Sequence, residues 1–459
     1  MVERIQSNIH QYNYNTINSV RNIAENPIKK GIQTAPAFTA AKTVPLNSQT
    51  QNISIRTTLS SNEEKEKYTE IISRLDRNGR KIMETMLKNG ILLNNNSNDR
   101  SSVLDNLHKI LKEPRAEGLR NETILKDTIA SIAYPYIITQ QFGDIPAEYR
   151  NRAIQANNEN KTNLFDIYNG QNEINVEHSG TCVAASTEFK LAKQMPAEFA
   201  RFAQELSSPK LSVEKTIGLN NLADNSLNAI WLLNAFEIPY EMKNFNTATL
   251  KFAPDKNAII RAQIQTTNKD SYERSPLDVL MQSTFMQVGS QQSYNTLTDK
   301  RAGKFNQNDK GLIEFEKTFT ESVVFDKNIL SVTYQTVDEN ARLIGYETDL
   351  GTLKRHLVEA LNTGENVIIG YTQTDSNNII VNGHEITIVG YKTDNKGKMT
   401  FICNDTDDGI NRPIEYPEEY LLPKIHHAAL PQEIVEGDLN IVPNWVEGIN
   451  MYKEMKNAA

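Results

Sequence analysis

Cysteine is almost absent from this chain: 459 residues contain two, Cys182 and Cys403. So sparse a pair excludes a disulfide framework, and with the scattered histidines it matches no structural zinc spacing. Long apolar runs are missing too. No stretch approaches the roughly 18–20 residues needed to cross a bilayer, so no membrane span is expected. Apolar residues make up only 38% of the chain, and the mean hydropathy of -0.53 points to segments outside any packed core. Dense Lys/Arg runs are lacking as well, and the formal net charge is -8. Nucleic acid is therefore not an expected partner, because phosphate contacts need a basic surface. The opening MVERIQSNIHQYNYN has no apolar core of a secretory signal. That predicts a cytoplasmic protein, or one exported without a Sec signal.

Residues 1–60 are rich in Asn, Gln, Ser and Thr and read as a disordered segment, with at most a short helix near 17–24. Ser61 with Glu64 forms a capping-box signature. Tyr68, Ile71, Ile72, Leu75, Ile82 and Met83 then recur at helical spacing as far as Leu87, where Asn89-Gly90 stops the run. With helical patterns at 102–112 and 122–141, residues 61–150 read as a helical module. It is either a packing subdomain or a pro-region ahead of a catalytic domain. Residues 160–430 read as a domain of mixed pattern, with helices near 181, 197–206, 224–236, 276–288 and 350–363 and strands at 367–371, 385–391 and 398–403. The polar stretch around 244–320 reads as a loop-rich insertion. Residues 431–459 form a tail ending in a short helix near 446–456.

Two segments carry the chemistry. In Gly180-Thr181-Cys182-Val183-Ala184-Ala185-Ser186, glycine lets the backbone turn sharply before a run without Gly or Pro that Pro196 closes. A cysteine in the first turn of such a helix faces unpaired amides and the positive end of the helix dipole, both of which favour thiolate. In Gly383-His384-Glu385-Ile386-Thr387-Ile388-Val389-Gly390-Tyr391, a histidine opens a strand, and Thr393 to Gly397 turn the chain back into Met399-Thr400-Phe401-Ile402-Cys403-Asn404-Asp405. The hairpin brings Asn404 or Asp405 within reach of His384. Thiolate, base and orienter are the three parts of nucleophilic thiol catalysis.

The acidic turn Asp405, Asp407, Asp408 lacks the ligand spacing of an EF-hand. His426 and His427 are adjacent, so on most backbones they point apart and make a poor metal pair. His356 reads as a helix-surface residue, Cys403 as buried and inert, and His178 as a loop residue. Neither a metal nor a cofactor is expected; the expected partner is a protein or peptide substrate.

Gly180-Thr181-Cys182-Val183-Ala184 resembles the Gly-Ser-Cys-Trp-Ala segment of papain-like cysteine peptidases. Gly383-His384 leading into Ile388-Val389-Gly390-Tyr391 is similar to that family's histidine strand, and Ile402-Cys403-Asn404 to its asparagine-bearing strand end. Gly364 to Gly370 matches the strand before the histidine. The chain order Cys, His, Asn agrees. The resemblance implies an α+β papain-like fold, helical in one half and antiparallel β in the other. It implies nucleophile Cys182, base His384 and orienter Asn404, and hydrolysis of peptide or isopeptide bonds. Bacterial bacteriocin-leader-type peptidases, with an Asp third member, are about as near. A transglutaminase or deamidase would use Cys182, His384 and Asp405, and a silent relative would only bind through its cleft. Val176 stands where the family has its oxyanion glutamine, leaving Gln171 or Asn175 as the candidate donors. Val183 and Asp405-Thr406-Asp407 replace the family's tryptophans.

Overall fold

The computed structural model describes residues 55–141, 179–265, 273–302, 311–338, 340–407 and 411–435. The N-terminal segment up to residue 54, the terminal helix near 446–456, and Gln171, Asn175 and His178 lie outside these residues.

The chain is a mixed α+β structure built around two apolar cores. The first holds a helical half. Four helices open it: α1 (Asn62–Ser73), α2 (Arg77–Lys88), α3 (Val103–Lys112) and α4 (Asn121–Ala133). Ser61 caps α1 through the reciprocal box with Glu64. The single run read from 61 to 87 is broken in two because the Asp76 carboxylate accepts the Gly79 amide and starts a second helix. Pro135, whose ring removes an amide donor, ends regular α4 short of the expected 141.

The core continues through α5 (Cys182–Gln194), α6 (Pro196–Leu206), β1 (Val213–Gly218), α7 (Ser226–Ala235), β2 (Tyr240–Asn244), β3 (Thr247–Phe252), α8 (Ala258–Gln265), α9 (Pro276–Gly289) and α10 (Glu314–Phe325). The three strands form an antiparallel sheet in the order β1-β3-β2. Side chains of α1–α4 and of residues 183–325 make one continuous core, so the helical module is not a separate packing unit. Its links are also polar. The Ala116 amide donates to the Ser207 carbonyl at 2.8 Å, and Asn98 exchanges hydrogen bonds with Thr216.

Among the described residues of 244–320, β3, α8 and α9 pack into the core where a loop-rich insertion was expected. Helix α9 is buried along its whole length. Its polar residues misled the sequence reading because they are spent on interior hydrogen bonds: the Ser283 hydroxyl donates to Asp255 at 2.8 Å, and the Gln282 amide donates to the Thr139 carbonyl at 2.9 Å and to Glu188 at 3.0 Å.

The second half is a six-stranded antiparallel sheet in the order β10-β9-β8-β7-β11-β4. Its strands are β4 (Ile329–Thr333), β7 (Val367–Thr374), β8 (Ile380–Thr393), β9 (Met399–Asn404), β10 (Ile414–Pro417) and β11 (Ile425–Pro431); β5 (Gln335–Val337) and β6 (Leu343–Tyr346) pair separately. Helix α11 (Leu350–Asn362) packs Leu353, Leu357 and Ala360 into the core formed with Ile369, Ile386, Ile388 and Phe401. His356 lies inside this helix–sheet layer, bonded to the Tyr334 hydroxyl at 2.7 Å, and not on the surface as expected. Helices α5 and α10 lie against the sheet from the first half. Among the described residues no helix is long and apolar enough to cross a membrane.

Candidate active site

Cys182 is the first residue of α5 and is partly exposed. Its approach is fixed by buried polar contacts. The Gly180 amide donates to Asp299 Oδ2 at 2.7 Å, while Asp299 Oδ1 accepts the Tyr294 hydroxyl at 2.8 Å. The Ser179 hydroxyl donates to the Gln140 carbonyl at 2.7 Å. Thr181 stands at the cap position but makes no capping bond with its side chain; its hydroxyl instead donates to Gln282 Oε1 at 3.0 Å. The first-turn amides of α5 thus carry no side-chain cap beside the thiol.

His384 on β8 comes from the other half and interacts with the Cys182 side chain. Its Nε2 lies 2.7 Å from Asp405 Oδ1, which leaves Nδ1 as the ring nitrogen not engaged by the carboxylate. Burial on its own would lower the His384 basicity. The Asp405 charge and hydrogen bond, reinforced by Cys182, outweigh burial and hold the imidazole well above its ordinary value. The Asp405 carboxyl would rise through burial, but the His384 charge, the His384 hydrogen bond and the Asp407 amide hold it below the usual range. That amide donates to the same Oδ1 at 2.9 Å and fixes the carboxylate.

The partner of His384 is therefore Asp405, and the implied role of Asn404 is corrected. The register pairs Thr387 with Asn404, so those two side chains share a face. His384, three residues from Thr387, belongs to the opposite face, which Asp405 shares. Asn404 is buried, and its Nδ2 has no hydrogen-bond acceptor. Cys403 is buried, and burial pushes its thiol far up, as befits an unreactive residue.

Three residues that the sequence reading passed over tie the two loops of the candidate site together. Thr139 Oγ1 and the Gln140 amide donate to the Thr406 carbonyl at 2.9 and 3.0 Å, and the Gln141 side chain donates to the Asp407 carbonyl and carboxylate at 2.6 Å. The same Gln140 holds Ser179 next to the thiol. A short strap thus spans both sides of the site. Asp299 and Gln282, which fix Gly180 and Thr181, were also missed, because nothing in their local sequence marks them.

His426 and His427 do not point apart. A bulge between Ile425 and His427 puts two β11 residues opposite a single step of β7, and the two rings converge with their Nδ1 atoms 2.9 Å apart.

Comparison with known proteins returned no match to a family model, a curated protein or a solved structure.

Proposed function

We propose that the chain is a papain-like thiol hydrolase cleaving peptide or isopeptide bonds through Cys182, His384 and Asp405. The observation that carries this reading is one arrangement: a partly exposed thiol at a helix start, interacting with a histidine whose Nε2 is held by a carboxylate. His384 takes the Cys182 proton, and the thiolate attacks the substrate carbonyl. The uncapped first-turn amides of α5, Cys182 N–H among them, receive the oxyanion. His384 then passes the proton to the leaving amine, and the acyl group stays on sulfur as a thioester. Water, deprotonated by His384, attacks the thioester and releases a carboxylic acid. Asp405 keeps the imidazole oriented and stabilises its positive charge throughout.

The Asp405 pairing also favours a second reading, acyl transfer of the transglutaminase or deamidase type, in which an amine or water resolves a thioester formed on a glutamine side chain. The test digests a protein substrate panel with wild-type chain and Cys182→Ala, with and without an added primary amine, and reads the products by mass spectrometry. Backbone or isopeptide cleavage that Cys182→Ala lacks supports the hydrolase. Amine adducts or deamidated glutamine support the second reading. Neither product from the wild type, together with no labelling of Cys182 by a thiol probe at pH 6, sinks both and leaves a binding cleft.

A further inference from the structure

We propose that Glu314, His426 and His427 bind one divalent transition-metal ion of the Zn²⁺ class, with a coordination position left open for water. The inference is independent of the thiol chemistry.

Three ligand-type atoms meet at one point between α10 and β11. His426 Nδ1 lies 2.9 Å from His427 Nδ1, and Glu314 Oε1 lies 3.2 Å from the first and 3.3 Å from the second. Ligands bound tetrahedrally at the distances usual for zinc stand about 3.3–3.5 Å apart, so this triangle is close to one face of such a site. Its circumradius is about 1.8 Å, so a single point about 1 Å off its plane lies within bonding distance of all three atoms. Side-chain exposures of 7% for His426, 11% for His427 and 23% for Glu314 leave a way in for an ion and a water. Two histidines and a carboxylate with an open fourth position suit Zn²⁺, whereas calcium or magnesium sites are built from oxygen alone.

The surroundings orient each ligand. His427 Nε2 lies 2.9 Å from Glu385 Oε1, so its proton goes to that carboxylate and Nδ1 turns its lone pair to the centre. Glu385 Oε2 is in turn held by Lys317 at 3.0 Å. Glu314 Oε2 accepts the Ser331 and Thr333 hydroxyls at 2.9 and 3.1 Å, which leaves Oε1 as the ligating oxygen. The backbone is shaped for the same end. Gly370 pairs with His427 on one side and Glu385 on the other, and a Cβ on Gly370 would lie 2.1 Å from the His427 ring. The missing side chain is what lets His427 reach across β7 to Glu385. Bulge, glycine and oriented carboxylates are three independent features that serve one convergent point. Bound there, the metal would pin the start of α10 to β11.

The test titrates Zn²⁺ into chelator-treated full-length Cys182→Ala, a background in which the thiol cannot act as a ligand, by calorimetry, and reads the Co²⁺ spectrum of the same protein. One equivalent bound, with the intense visible bands of four-coordinate cobalt, is the expected result. His426→Asn and Glu314→Gln should each weaken binding more than 100-fold, and Glu385→Gln about tenfold, with far-UV circular dichroism unchanged. No stoichiometric binding by folded Cys182→Ala overturns the proposal, and so does unchanged affinity in folded His426→Asn and Glu314→Gln.

Discussion

Asp405→Asn is the substitution that most directly tests the geometry of the candidate site. The Asp405 carboxylate accepts from His384 Nε2 at 2.7 Å, and both side chains are largely but not wholly buried. A hydrogen bond between charged partners in such a setting contributes about 1.5–3 kcal/mol. At 1.36 kcal/mol per pH unit, replacing the carboxylate by a neutral amide should lower the imidazolium titration by about one to two units. The same energy withdrawn from the imidazolium that forms during proton transfer slows the chemical step about 10- to 150-fold. The asparagine can keep the Asp407 amide bond, so the loop should stay in place while its charge is lost. His384 titration is read from histidine ring resonances in labelled protein, and Cys182 reactivity from alkylation across pH 5–9. The buried Cys403 serves as the internal control. Asn404→Ala should leave the His384 titration within a few tenths of a unit. If Asp405→Asn leaves that titration in place, or Asn404→Ala moves it as far, the assignment of the orienting residue is wrong.

Burial, with the Asp278 charge second, pushes the Asp127 carboxyl up to about 8. The folded protein therefore keeps a proton that the unfolded chain releases near pH 4, so this contribution to stability is intact below about pH 4 and is lost as pH rises through 8. Asp127→Asn should gain about 2 kcal/mol at pH 8, part exposure having screened the full shift, and almost nothing at pH 4; chemical denaturation at the two pH values reads the difference. A chain beginning at residue 142 loses α1–α4 from a shared core and the strap at 139–141. It should show no cooperative melting and no labelling of Cys182, whereas a removable pro-region would leave both intact.

How far the fold was legible depended on whether the burial pattern followed the apolar pattern. The helices at 196–206, 226–235, 276–289 and 350–362 and the hairpin of β8 and β9 all show helical or alternating apolar spacing, and the sequence locates them to within a few residues. The interior of the helical half does not follow that pattern. Lys190 is fully buried, yet its ammonium meets Glu321 at 2.8 Å and Glu365 at 2.5 Å, residues far away in sequence. Local reading takes such a lysine, and the helical Gln282, Ser283 and Gln287, for a solvated face. What made these positions interior is pairing between distant segments, which no local periodicity records.

At the site, interruptions in the strand ladders decided what the sequence left open. Once β8 and β9 are taken as a hairpin, alternation divides the residues of each strand between faces. Met399, Phe401 and Cys403 continue to Asp405, while Asn404 goes to the other side. Counted from the turn, where Thr393 pairs with Met399, strict alternation puts His384 on the face of Asn404; the register shift between Ile388 and Gly390 reverses that parity and gives the histidine Asp405 instead. The histidine pair shows the same effect. Strict alternation sends His426 and His427 to opposite faces, and only the one-residue bulge against Gly370 brings them together. A bulge is decided by how three strands fit side by side, here β11, β7 and β8, and it leaves no mark in the strand that carries it. Strict alternation therefore fails at both places, at the partner of His384 and at His426 with His427, because a register shift interrupts the ladder at each.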